Sequence, residues 1–385
     1  MKPYNELQKV FTNHTHPLLF VDEQALNSNI QWVLSQAKEK KVRVATKSVR
    51  SVEVLKKILA ASNRFQGLMT FTLEESLWLA QLGFGDILLG YPTVDVAALE
   101  KLAKVPQEIT LMVDRTEHLD LLEKIAAAHN SQFSICVDMD LSMDLPGLRF
   151  GVFRSALQSE LSMTAFLNYL KKCPHLKLTA AMGYEAQIAG VGDKRAPLIQ
   201  TLKKFSIRQL QARRKKMVEI IRKHGFDIRV VNGGGTGSLN STSTEEVVTE
   251  LTAGSAFFAP TLFDRYRDFA LTPAMGFTLP VVRLPNENMI TVLGGGYIAS
   301  GQAGVVKYPS PYLPSGLSLH SNEGAGEVQT PLYNNSGIKL GVGDFVVMRH
   351  AKAGEVCERF NEINIIDGEN ISKVKTYRGE GKCFL

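Results

Sequence analysis

Apolar positions along the chain fall into two textures, and the change between them near residue 260 divides the sequence. Before that point, short apolar runs alternate with stretches whose apolar residues recur every three or four positions. The runs are Val42–Thr46, Gly67–Thr72, Asp86–Tyr91, Ile109–Asp114, Phe133–Asp138, Leu176–Met182, Ile228–Asn232 and roughly Val248–Phe258. Helical patterns such as Val52–Ser62, Leu73–Leu82 and Thr116–His129 separate most of them. Short, non-alternating strands of this kind are buried on both faces by helices, which implies a parallel sheet. Eight such units in about 220 residues predict an α/β fold, a closed (β/α)8 barrel of the TIM type. A doubly wound open sheet is the alternative.

After residue 260 no strong helical period appears. Pro273, Pro280, Pro285, Pro309, Pro311, Pro314 and Pro331 punctuate short β-like runs at Thr278–Leu284, Met289–Leu293, Phe345–Met348 and Glu362–Ile366. This predicts a β-rich C-terminal domain. The early run Pro17–Val21 precedes the first barrel strand and is expected to join it, bringing the two chain ends together. The expected domains are a barrel over residues 22–260 and a β-rich domain from residues 1–21 and 261–385.

Composition narrows the class. Of 385 residues, 44% are hydrophobic and 21% charged, which fits a soluble globular protein rather than a disordered one. No apolar stretch reaches the roughly 18 residues of a membrane span. The amino terminus lacks the apolar core of a signal peptide, so a cytoplasmic protein is expected. Cys136, Cys173, Cys357 and Cys383 have no close pairing and read as reduced thiols. The formal charge of +6 comes in good part from Arg213-Arg-Lys-Lys216 with Arg222 and Lys223. They lie in a helical pattern whose inward positions are Leu202, Phe205, Leu210, Met217 and Ile221. The basic run therefore reads as a solvated helix face and not a nucleic-acid site.

Two features carry chemistry. Lys47 stands at the carboxyl end of the first barrel strand, where such barrels gather their reactive groups. A lysine crowded there by Arg43 or Arg50 is able to attack a carbonyl and form a Schiff base. The run Asn232-Gly-Gly-Gly-Thr-Gly-Ser238 follows the seventh strand, and Gly254-Ser255 lies at the eighth. Glycines there let main-chain N–H groups approach a phosphate, and Thr236 and Ser238 add hydroxyls. Anchors for an aldehyde and for a phosphate together describe a seat for pyridoxal phosphate. The acids Asp138, Asp140 and Asp144 read as solvated loop residues, with metal binding or the orientation of Arg149 as the alternative.

Arg43-Val-Ala-Thr-Lys47, Leu148-Arg-Phe-Gly-Val152, Met182-Gly-Tyr-Glu185 and Gly233–Ser238 resemble the fold-type III pyridoxal-phosphate enzymes, which include alanine racemase. Thr70-Phe-Thr-Leu-Glu-Glu75, Asp86-Ile-Leu-Leu-Gly-Tyr-Pro92 and Val248-Thr-Glu-Leu-Thr-Ala-Gly-Ser255 resemble the D-threonine aldolase and D-serine dehydratase branch. The resemblance implies Lys47 as the Schiff-base lysine, Arg149 near the cofactor's phenolic oxygen and Tyr184 near the pyridine ring. Asn232, Gly234, Gly235, Thr236, Gly254 and Ser255 complete the implied cofactor set.

The same branch implies a divalent ion, zinc or manganese, held by a His-x-Cys or His-x-Asp pair. Here His350 is in place, but Lys352 occupies the second position. A tight hairpin centred on Ala353-Gly354 would set Cys357 opposite His350, and an imidazole–thiolate pair would suit zinc.

The expected activity is that of a lyase acting on D-configured β-hydroxy amino acids, by aldolase-like cleavage or dehydratase-like deamination. An amino-acid racemase and a non-catalytic cofactor-binding protein are the alternatives. The resemblance further implies a homodimer acting on a small amino acid; the charge pattern and the lack of a long apolar stretch leave nucleic acid and membrane out as expected partners.

Overall fold

A computed structural model describes residues 1–104, 107–145, 148–152 and 154–385, without the side chains at 144–145 and 148–149. By internal packing the chain forms two compact units. One comprises residues 33–46, 58–254 and 384–385; the other comprises 1–32, 47–57 and 255–383.

The first unit is the barrel. Its strands are β1 (Lys41–Ala45), β2 (Phe65–Thr70), β3 (Ile87–Leu89), β4 (Ile109–Val113), β5 (Phe133–Asp138), β6 (Leu176–Gly183), β7 (Val230–Gly233) and β8 (Glu250–Ala253). All eight pair in parallel in sequence order, and β8 closes on β1 through Leu251 opposite Val42. Leu88, Met112, Cys136, Ala180 and Met182 form one buried cluster, with Met69 and Val230 packed on it. Side chains from six strands, β2 to β7, meet there only because they point into a closed ring, so the interior is a packed core. β1, β7 and β8 complete it with polar groups. The Arg43 guanidinium donates to Glu250 Oε1 and Oε2 at 2.6 and 2.9 Å and to Asp86 Oδ1 at 2.9 Å. Burial opposes its charge, but the two carboxylates outweigh it and raise its pKa. Arg43 therefore has no part in crowding Lys47.

Helices Val52–Ala60, Leu73–Gln81 and Thr116–Ala128 follow the predicted periods. The eighth strand is shorter than its apolar run. After Gly254 the chain turns, the Ala259 N–H donating to the Ser255 carbonyl, and Phe257 and Phe258 are buried in the second unit instead. The long helix Pro197–Lys223 also departs from the expected phase. Phe205 is exposed, whereas Lys203, Ser206 and Arg214 are buried.

The second unit is a nine-stranded, mostly antiparallel sheet. As expected, strand Leu18–Asp22 enters it, antiparallel to Met275–Asn286 and parallel to Glu362–Asp367. Phe345–Arg349 pairs with Met275–Asn286 on its other register, through Phe277 opposite Met348. Cys136, Cys173 and Cys357 are buried and form no disulfide. No helix among the described residues is long and apolar enough to cross a membrane.

Candidate active site

Lys47 sits in a single 3-10 turn, Thr46–Ser48, directly after β1. Its side chain is exposed between the buried Thr46 and Ser48. Other residues of its own unit hold its main chain from several sides. The Lys47 carbonyl accepts from Arg50 Nε at 3.1 Å, and Arg50 also pairs with Glu358. The Ser48 and Ser255 hydroxyls lie 3.1 Å apart, and the Cys357 thiol donates to the Val49 carbonyl at 3.7 Å.

The closest approach comes from Gly354, whose φ is +88°. A Cβ there would stand 1.9 Å from the Lys47 carbonyl oxygen, an impossible contact. Gly354→Ala is therefore expected to destabilise the protein by about 2–3 kcal/mol, from left-handed strain plus the forced shift of the turn. Gly343→Ala is the control, since φ is +97° there but nothing lies within 4 Å of the added carbon. It should cost only about 1 kcal/mol, and equal losses in denaturant titration would deny the close packing.

In the barrel unit, β7 runs into the glycine-rich loop. Gly234 has a φ of +84°, which requires glycine, and a Cβ on Gly235 would press on the Tyr184 ring at 3.1 Å and on Ala189 at 3.0 Å. The loop and Tyr184 are thus brought together. Burial, then Glu185, pushes the Tyr184 phenol up to about 12 despite Arg154, so it stays a hydrogen-bond donor at neutral pH.

Arg214 underlies this arrangement. Its guanidinium donates to Glu185 Oε2 at 2.8 Å, to the Gly183 carbonyl at 3.0 Å and to Glu245. Glu185 in turn accepts from Ser238 at 3.0 Å and from Thr242. The Ser238 hydroxyl also accepts from the Gly235 N–H at 3.1 Å, so it braces the loop from within. The basic run is thus not wholly a solvated face. The sequence holds the signal for this, because Leu210, Arg214, Met217 and Ile221 follow a 4-3-4 spacing along one stripe.

Asn232 is committed to the barrel interior. Its amide donates to Glu250 Oε1 at 2.8 Å and to Thr252 Oγ1 at 2.9 Å, and its carbonyl accepts from Thr252 at 3.1 Å. Its side chain is an anchor for β7. Thr236 is buried in the loop, and Gly254 directly follows β8. Arg149 lies on strand Leu148–Phe150, its backbone opposite Asp144, and its side chain is outside the described residues.

Asp114 and Asp140, after β4 and β5, are buried and not solvated, and the Asp144 side chain lies outside the described residues. Asp140 is buried and accepts the Ser142 N–H at 2.7 Å. Asp138 is pushed up to about 7 by burial, then by Asp114 and Asp140, with Arg154 opposing. Asp114 lies 3.2 Å from His118 Nδ1. A carboxyl group that titrates near neutrality at the carboxyl ends of barrel strands is suited to proton transfer.

The expected metal pair takes a different form. No hairpin sets Cys357 opposite His350, because Gly354 turns the chain into the 3-10 helix Glu355–Arg359. Cys357 is buried there, and its thiol is pushed up to about 12, mainly by burial. His350 is 2% exposed, and its ring lies against the Met275 backbone without a well-formed hydrogen bond at either nitrogen. Burial, then Arg349, pushes it down to about 3, so the ring is neutral. Among the described residues no three His, Cys, Asp or Glu side chains gather to hold a metal. One buried imidazole, a protonated thiol committed to a carbonyl and a lysine do not fit a divalent ion. Taken separately, the exposed Lys47 amine fits an aldehyde, and the glycine-rich loop beside Tyr184 in the barrel unit fits a phosphate ester.

A family model described as alanine racemase, N-terminal domain, matches residues 21–260. No curated protein sequence matches the chain. Solved structures are similar to it. D-threonine aldolase from Filomicrobium marinum has 16% identity, covers 96% of each chain and has a TM-score of 0.80. D-threo-3-hydroxyaspartate dehydratase from Delftia sp. HT23 has 17% identity over 94% of this chain and 98% of its own, with a TM-score of 0.78. Alanine racemase from Clostridium difficile 630, in complex with cycloserine, has 16% identity over 94% and 99%, with a TM-score of 0.67. At these identities the likeness is one of fold.

Proposed function

The chain belongs to the alanine racemase N-terminal-domain family, and on that footing we propose that it is a pyridoxal-phosphate-dependent lyase of D-configured β-hydroxy amino acids. The observation that carries this reading is Lys47, an exposed amine on a braced turn at the carboxyl end of the first barrel strand. The substrate class is supported by the aldolase and the dehydratase, whose names share a D-β-hydroxy amino acid and whose TM-scores exceed that of the alanine racemase.

When bound, the cofactor supplies an electron sink for a bond broken at the substrate's Cα. The Lys47 ε-amine would hold its aldehyde, and the same amine would move the proton at the substrate's Cα. The loop from Gly233 to Ser238 offers main-chain N–H groups to the phosphate, and Gly254-Ser255 adds a second stretch of close backbone. Tyr184 stays protonated and presents a neutral donor to the ring. Asp138 is poised to give or take a proton near pH 7. Arg149 beside the phenolic oxygen and a homodimer belong to the same reading.

Incubating the holoenzyme with D-threonine and with D-serine tests it. Glycine with an aldehyde identifies the aldolase reaction; ammonia with an oxo acid identifies the dehydratase. Loss of Cα deuterium with neither product set would make the protein a racemase. No change in the cofactor spectrum with a panel of D- and L-amino acids would make it a cofactor carrier.

A further inference from the structure

We propose that the Lys352 ammonium, rather than a divalent metal, is the fixed cation of this site, and that it hydrogen-bonds the β-oxygen of the substrate. The inference rests on the lyase reading and deepens it.

Lys352 is held in place by a built set of partners. Its Nζ lies 3.0 Å from Glu355 Oε1 and donates to Ser300 Oγ at 2.9 Å. Ser300 fixes the same carboxylate, its N–H donating to Oε2 and its hydroxyl to Oε1, both at 2.7 Å. An ammonium carries three donors, and two are accounted for, which leaves one for a ligand. The Lys352 side chain is 43% exposed, so that donor is open to solvent.

The turn that carries Lys352 lies against the lysine proposed to hold the cofactor. Gly354 packs on the Lys47 carbonyl, and Lys352 is two residues earlier, within about 7 Å along the chain. The other basic groups on this segment are unavailable. Arg349 is paired with Asp264 at 2.7 and 3.0 Å, and His350 is buried. Lys352 is thus the half-exposed basic group on the turn that packs against Lys47. A β-hydroxyl oxygen is an acceptor that an ammonium can hold as a point charge without a metal.

Two measurements test this on the holoenzyme. Metal analysis after incubation with zinc or manganese and gel filtration is expected to give far less than one equivalent. Binding of D-threonine and of D-2-aminobutyrate, its analogue without the hydroxyl, is then read from the cofactor absorbance. Lys352→Met should weaken D-threonine about tenfold, about 1.4 kcal/mol, and leave the analogue within about twofold. Lys352→Arg should recover most of the difference, which a merely structural role would not produce. About one equivalent of bound metal overturns the proposal, as does equal weakening of both ligands or of neither. If D-threonine leaves the wild-type absorbance unchanged, the lyase reading falls and the β-oxygen role falls with it. Metal binding with a D-threonine response intact overturns the present proposal alone.

Discussion

Lys47→Ala is expected to lower turnover by about a thousandfold or more and to abolish covalent retention of pyridoxal phosphate, while the protein stays folded. The separation of effects follows from placement. The side chain is exposed, whereas the main chain of the turn is what Arg50 and Gly354 hold. Removing the side chain leaves those main-chain contacts in place, so the turn should stay folded. Lys47→Arg should be as inactive as the alanine variant, because a guanidinium keeps the charge but does not form the imine. Turnover within tenfold of wild type in either variant would remove Lys47 from the chemistry.

Arg214→Met is expected to be the most destabilising single change, by about 3–5 kcal/mol. The guanidinium is fully buried between Glu185 and Glu245, and the methionine would leave both carboxylates in the interior without their cation. In a protein of this size that loss should lower the melting temperature by about 4–6 °C. The effect should also reach the cofactor. Gly233 lies within 3.1 Å of the guanidinium by its virtual Cβ, and Ser238 hangs from Glu185, so the loop loses its support on two sides. Apparent affinity for pyridoxal phosphate is expected to fall with stability. Combining Arg214→Met with Glu185→Gln and Glu245→Gln should recover a good part of the stability, because no buried charge then stands alone. A single variant that melts within 2 °C of wild type would contradict the network.

The barrel was legible because its signal is local. Each strand is a short apolar run between helical periods, and this texture holds through eight units. The addition of Leu18–Asp22 to the second sheet was legible for the same reason, as an apolar run with no barrel partner before it. What the sequence hid depends on contacts between residues far apart in the chain. The shape of the Lys47 turn is set by Gly354 and Glu358, about 300 positions away, and no local pattern reports that packing. Asn232 had the motif of a loop residue, but its amide satisfies Glu250 and Thr252 inside the barrel. Arg214 was hidden in plain view. Its charge suggested solvent, while its position on the stripe through Leu210 and Met217 required burial and hence a carboxylate partner. Cys357 was assigned to a hairpin from spacing alone, and the left-handed turn at Gly354 sends it instead to the Val49 carbonyl.

The central claim is that the ε-amine of Lys47 carries pyridoxal phosphate. Reduction of the holoenzyme with borohydride, followed by peptide mass analysis, tests it most directly. The account expects one phosphopyridoxyl group per chain on the peptide containing Ala45-Thr46-Lys47, with loss of the cofactor's visible absorbance. A label on any other lysine, or no label in protein that has taken up the cofactor, would contradict it.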